Sequence, residues 1–86
     1  MLEIIYTPSF IKQLNTLESD LREEIVEKTE LFKNKKNHKQ LKVHKLKGRL
    51  SNRYSFSVNY KIRIIFCHFG KGEVAFLAVG DHDMYK

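Results

Sequence analysis

The hydrophobic period of this chain changes once, near residue 40, and that change bounds what it can fold into. Before it, Phe10, Ile11, Leu14 and Leu17 recur at helical spacing, and so do Leu21, Ile25, Thr29 and Phe32. After it the pattern alternates. In YSFSVNY (54–60), Tyr54, Phe56, Val58 and Tyr60 share one face; in KIRIIFCHF (61–69), Ile62, Ile64 and Phe66 oppose Lys61, Arg63 and Ile65. Thr7-Pro8 reads as an N-cap with proline in the first helical turn, opening a helix to about Glu18. Asp20 and Glu23 have the spacing of a capping box for a second helix, and so short a connection makes an antiparallel helical hairpin.

LEIIY (2–6) precedes the helices as a short β-prone run. LKVHKL (41–46) resembles a strand ahead of a turn at Gly48, Gly70-Lys71-Gly72 is a hairpin turn, and EVAFLAV (73–79) is the last strand. The order is read as β-α-α-β-β-β. This is an α+β class, with an antiparallel sheet, the helical hairpin on one face and the other face open. At 86 residues the chain is expected to be a single domain, 1–86. The one cysteine, Cys67, cannot form an internal disulfide and reads as a buried thiol in a reducing compartment. With neither a signal-peptide pattern nor a run long enough to span a membrane, the expected location is cytoplasmic.

Charge narrows the function. The formal net charge is +6, and the signs are segregated: Glu18, Asp20, Glu23, Glu24, Glu27 and Glu30 crowd the first third. From Leu31 to Gly72 no acid occurs, while Lys42, Lys45, Lys47, Arg49, Arg53, Lys61 and Arg63 follow one another. A one-sign block repels itself, so an anion is expected to occupy it: nucleic acid first, an acidic protein second. Alternation sends Arg63, Lys61, Ser55, Ser57 and Asn59 to the face away from the helices, and His44 shares a parity with Lys42. The tail VGDHDMYK brings Asp81, His82, Asp83 and Tyr85 to the end of the last strand.

No spacing of His, Cys, Asp or Glu suggests a metal site, and no phosphate-binding glycine loop or nucleophile elbow is present, so no cofactor is expected. A metal-free set of histidine, arginine, lysine and tyrosine suits cleavage of RNA by its own 2′-hydroxyl. That reaction needs a base, an acid for the leaving 5′ oxygen, and cations around the phosphorane. Histidine serves either proton role near neutrality, arginine grips phosphate bidentately, and tyrosine can stack on a base or donate a proton.

HKLKG (44–48), YSFSVNYKIRIIF (54–66) and VGDHDMYK (79–86), in this order, resemble the RelE/ParE superfamily of type II toxin–antitoxin toxins over essentially the whole chain. The resemblance implies a ribosome-dependent mRNA endoribonuclease (an mRNA interferase) of the RelE, YafQ or YoeB kind. The alternative is a ParE-like, non-nuclease inhibitor of DNA gyrase. It also implies a cognate antitoxin as partner. Position by position, His44, Arg63, His82 and Tyr85 match active-site positions: Arg63 for the scissile phosphate, His82 for the C-terminal catalytic histidine. Lys45 and Lys47 match basic residues around the transition state, and Lys42, Arg49, Arg53 and Lys61 are expected to bind RNA phosphate. Ser57 and Lys61 depart from the YafQ pattern, which has a histidine and an aspartate there.

Overall fold

The computed structural model describes residues 1–48 and 52–81. Its elements are β1 (Glu3–Tyr6), α1 (Pro8–Leu14), α2 (Ser19–Phe32), β2 (His44–Lys45), β3 (Tyr54–Ser57), β4 (Ile62–Gly70) and β5 (Glu73–Asp81), with a short 3-10 turn at Lys35–Asn37. The strands form one sheet in the order β1-β5-β4-β3-β2. The α+β class and the helical hairpin on one face are as expected. Two features differ from the expectation. Of the strand expected over 41–46 only His44–Lys45 pairs, and β1 lies parallel to β5, Glu3 opposite Glu73 and Tyr6 opposite Phe76, so the sheet is mixed and not antiparallel throughout. A parallel pair needs a long connection between its strands, and here it runs through both helices and β2 to β4.

Thr7 caps α1 as its position predicts. Its Oγ1 accepts from the Phe10 amide at 3.2 Å and donates to the Phe76 carbonyl at 2.8 Å, which fixes the helix to β5. The Asp20–Glu23 capping box does not form: Glu18 is the N-cap of α2 and makes no side-chain cap bond. The interhelix turn is closed instead by Arg22, whose guanidinium donates to the Leu17 carbonyl. α1 also ends earlier than the hydrophobic spacing suggests, at Leu14.

Phe10 from α1, Ile25 and Phe32 from α2, and Phe56, Ile64, Phe66 and Phe76 from the sheet form one core. Phe32 sits at its centre, stacked on Phe56 at 4.5 Å between centroids and edge-on to Phe66 at 4.8 Å. A bulge keeps β5 in step with that core. Ile65 pairs with Ala78 and Phe66 with Phe76, so Leu77 has no opposite number, and Phe76 and Val79 both face inward. The Gln13 side chain accepts from the Val79 amide at 2.9 Å beside the bulge. The hairpin turn after β4 is as expected, with Gly72 at φ 75°, a conformation glycine adopts freely. No helix among the described residues is long and apolar enough to cross a membrane.

Candidate functional site

Cross-strand register sets what lies on the sheet face away from the helices. One row runs His44–Ser55–Ile65–Ala78 and the next runs Ser57–Arg63–Gly80. His44 and Arg63 therefore share a face, two strands and two residues apart. Standard sheet spacings put their Cα atoms about 12 Å apart. Neither row contains an acid.

Arg63 is half-buried, and its Nη1 donates to the main-chain carbonyl of Asn59 at 2.8 Å. A guanidinium carries five N–H donors in a planar fork, and among the described residues this bond engages one. Asn59 in turn is held from three sides. Its Oδ1 accepts from the amides of Lys61 (2.9 Å) and Ile62 (2.8 Å), and its Nδ2 donates to Glu24 Oε1 on α2 at 2.9 Å. An Asx turn thus closes the β3–β4 connection, ties it to the helical layer and anchors Arg63. Neither the residue types nor the resemblance marks Asn59 as a site residue; its position at the end of an alternating run, where asparagine favours turns, is the signal that could have marked it.

His44 is exposed. Its Nδ1 lies 2.9 Å from the Lys42 carbonyl oxygen, and its Nε2 lies 3.5 Å from Ser55 Oγ. Ser55 is 0 % exposed, and Ile65 in the same row is buried. The centre of this face is therefore a closed, mixed row and not the open, serine-bearing face that alternation predicts.

Several expected neighbours lie elsewhere. The strand ends at Ser57, so Tyr60 (91 % exposed) and Lys61 belong to the turn, and Asn59 faces α2. Alternation reads past this point because a residue pattern cannot register an Asx turn. Lys42 is not in a strand. It has φ 58°, its amide donates to the Lys39 carbonyl (3.1 Å), and the Val43 amide donates to the His38 carbonyl (3.0 Å). These two bonds make a Schellman closure of the turn at 38–41, with lysine where glycine is usual, at a cost of roughly 1–3 kcal/mol. Lys45 pairs with Tyr54 and so projects to the opposite side of β2 from His44. Lys47 is exposed beyond β2. Arg53 is half-buried at the start of β3, its carbonyl accepting from the Leu46 amide at 2.8 Å, and it lines a cleft with Asn52, Tyr54, Cys67 and His68. Cys67 is half-buried and not wholly enclosed. Arg49, His82, Asp83 and Tyr85 lie outside the described residues. Among the described residues, no group of three or more His, Cys, Asp or Glu side chains could hold a metal ion.

No family model and no curated protein sequence matches this chain. Solved structures do. YafQ from E. coli is 16% identical with a TM-score of 0.73, over 96% of each chain. RelE in the archaeal RelE–RelB complex from Pyrococcus horikoshii is 14% identical with a TM-score of 0.73, over 96% of this chain and 97% of that one. The YoeB/ParE toxin from Agrobacterium tumefaciens is 16% identical with a TM-score of 0.68, over 94% and 99%. The chain has the RelE/ParE-like toxin fold.

Proposed function

We propose that this chain is the toxin of a type II toxin–antitoxin system and a ribosome-dependent mRNA endoribonuclease. The observation that carries the reading is the placement of His44 and Arg63 on one sheet face, in adjoining rows without an acid. The likeness to YafQ and RelE supports it, as does the acid-free stretch from Leu31 to Gly72.

In this reading the Arg63 fork holds the scissile phosphate and an imidazole takes the 2′ proton. The 2′ oxygen attacks phosphorus, and the leaving 5′ oxygen receives a proton from His82, with Tyr85 stacking on a base or donating a proton beside it. The described part of β5 runs to Asp81, whose register partner Ile62 adjoins Arg63, and His82 is the next residue in the chain. Lys47, Arg49 and Arg53 contribute positive charge along the RNA. Residues 1–86 act as one domain in the cytoplasm. The partner is a cognate antitoxin whose acidic or amphipathic segment covers the basic 42–63 stretch. Its association slows with added salt more than its dissociation quickens, because steering acts on encounter.

The test is purified chain on programmed ribosomes, read by primer extension, beside a gyrase supercoiling assay. Discrete cuts within translated regions and unaffected gyrase are expected. Intact transcripts with inhibited gyrase would replace this reading by the ParE-like one.

A further inference from the structure

The partners of His44 determine which of its nitrogens carries the hydrogen. A carbonyl oxygen only accepts, so the 2.9 Å contact from Nδ1 to the Lys42 oxygen makes Nδ1 the donor in the neutral ring. Nε2 then keeps its lone pair. The hydroxyl of Ser55, wholly buried, is the group that faces it, at 3.5 Å. The Lys42 carbonyl aims at His44 because the backbone of Lys42 is left-handed, at φ 58°. That turn is itself fixed to the sheet: Leu41 is buried, and its carbonyl accepts from the Ser57 amide at 2.8 Å.

We propose that Lys42 and Ser55 are positioning residues for His44. The main-chain carbonyl of Lys42, and not its ammonium group, fixes the Nδ1–H tautomer, and Ser55 holds the ring until a substrate hydroxyl takes its place at Nε2. The contribution to cleavage rests on the nuclease reading above; the tautomer does not. In the step itself the 2′-hydroxyl proton passes to Nε2, and the imidazolium keeps its Nδ1–H on the Lys42 carbonyl. The 2′ oxygen bonds phosphorus, the bond to the 5′ oxygen breaks, and a separate acid protonates that oxygen. The products are a 2′,3′-cyclic phosphate and a 5′-hydroxyl.

Two-bond ¹⁵N–¹H NMR of the histidine rings, recorded on the whole chain with His44 neutral, reports the tautomer directly. The parent is expected to show the Nδ1–H pattern for His44, whereas a histidine free in water favours Nε2–H. Lys42→Ala retains the carbonyl and should keep the pattern, raising KM for RNA more than it lowers kcat. Lys42→Val disfavours positive φ and should lose the pattern, with kcat down roughly 10–100-fold, as when the partner that fixes the tautomer of a metal-bound histidine is removed. Ser55→Ala should keep the pattern and lower kcat by a smaller factor. An Nε2–H tautomer in the parent overturns the proposal. So does Lys42→Ala with the same tautomer change and kcat loss as Lys42→Val. If Lys42→Val does not fold, the parent and Lys42→Ala spectra still decide. A parent that cuts no RNA refutes the nuclease reading, while the spectrum still settles the tautomer.

Discussion

Phe56 and Ser55 are neighbours on β3, both 0 % exposed, and they serve opposite sides of the same sheet. Phe56 joins four other phenylalanines and the aliphatic residues of α1 and α2 in a continuous apolar layer. Ser55 joins a row with His44 at one end and Ala78 at the other, beside the row of Arg63. Charge follows the same division. The acids of α2 lie on the helical side, where Glu24 is tied to Asn59 and Glu30 to Lys33 at 2.8 Å. The hydrogen bond to Glu30, with its negative charge, holds the Lys33 ammonium above its ordinary pKa. One layer holds the fold by burial; the other carries polar groups held by main-chain carbonyls. Substitutions on the two sides are therefore expected to register in different measurements.

The largest effect on stability is expected at the centre of the helical side. Phe32→Ala removes the ring against which Phe56, Phe66, Phe76 and His38 pack. It should cost about 3–5 kcal/mol in urea unfolding, a large share of what a domain of this size possesses. A loss below about 1 kcal/mol would mean that this core does not hold the sheet.

Asn59→Ala tests a residue that joins the two sides. It removes the Asx turn and the bond to Glu24, and should cost about 1–3 kcal/mol. Because the Asn59 carbonyl also anchors Arg63, cleavage by the folded fraction should fall as well. Stability loss with unchanged cleavage would separate Arg63 from its anchor.

Smaller still is Lys42→Gly, which relieves the left-handed strain while retaining the carbonyl. Thermal unfolding should show a gain of up to about 1 kcal/mol, since glycine adopts positive φ at no steric cost. Lys45→Ala sits at the bottom of the order. Lys45 projects away from His44, so cleavage should change by no more than about twofold, as for an exposed charge beyond the site. A tenfold loss there would place RNA on the helical side of β2.

Local patterns were legible wherever a local cause acts. Thr7 before Pro8 gave the cap, the Ile25/Thr29/Phe32 stripe gave the buried face of α2, and alternation put Arg63 opposite Ile62 and Ile64. Other features depend on groups distant in the chain. The parallel pairing of β1 with β5 joins residues about as far apart as the sequence permits, and neither segment carries a mark of the other. The end of β3 depends on Asn59 finding Glu24 across the fold, while the apolar-polar pattern continues undisturbed through Val58 and Tyr60. The left-handed turn at Lys42 gave no signal, because glycine usually marks such a position and here it is lysine. For the site, the resemblance supplied His44 and Arg63; register showed that they share a face and that Lys45 and Lys61 do not lie beside them.

The central claim is that the face bearing Arg63 performs chemistry while the helical face holds the fold. Arg63→Ala tests it most directly, with mRNA cleavage on programmed ribosomes and thermal unfolding measured on the same preparation. A half-buried arginine that bonds one main-chain carbonyl contributes little to the core, so unfolding should shift by only a few degrees. Cleavage should fall on the order of 10²–10³-fold, as when a preorganised donor to the transition state is removed. Unchanged cleavage by a folded Arg63→Ala chain would contradict the account.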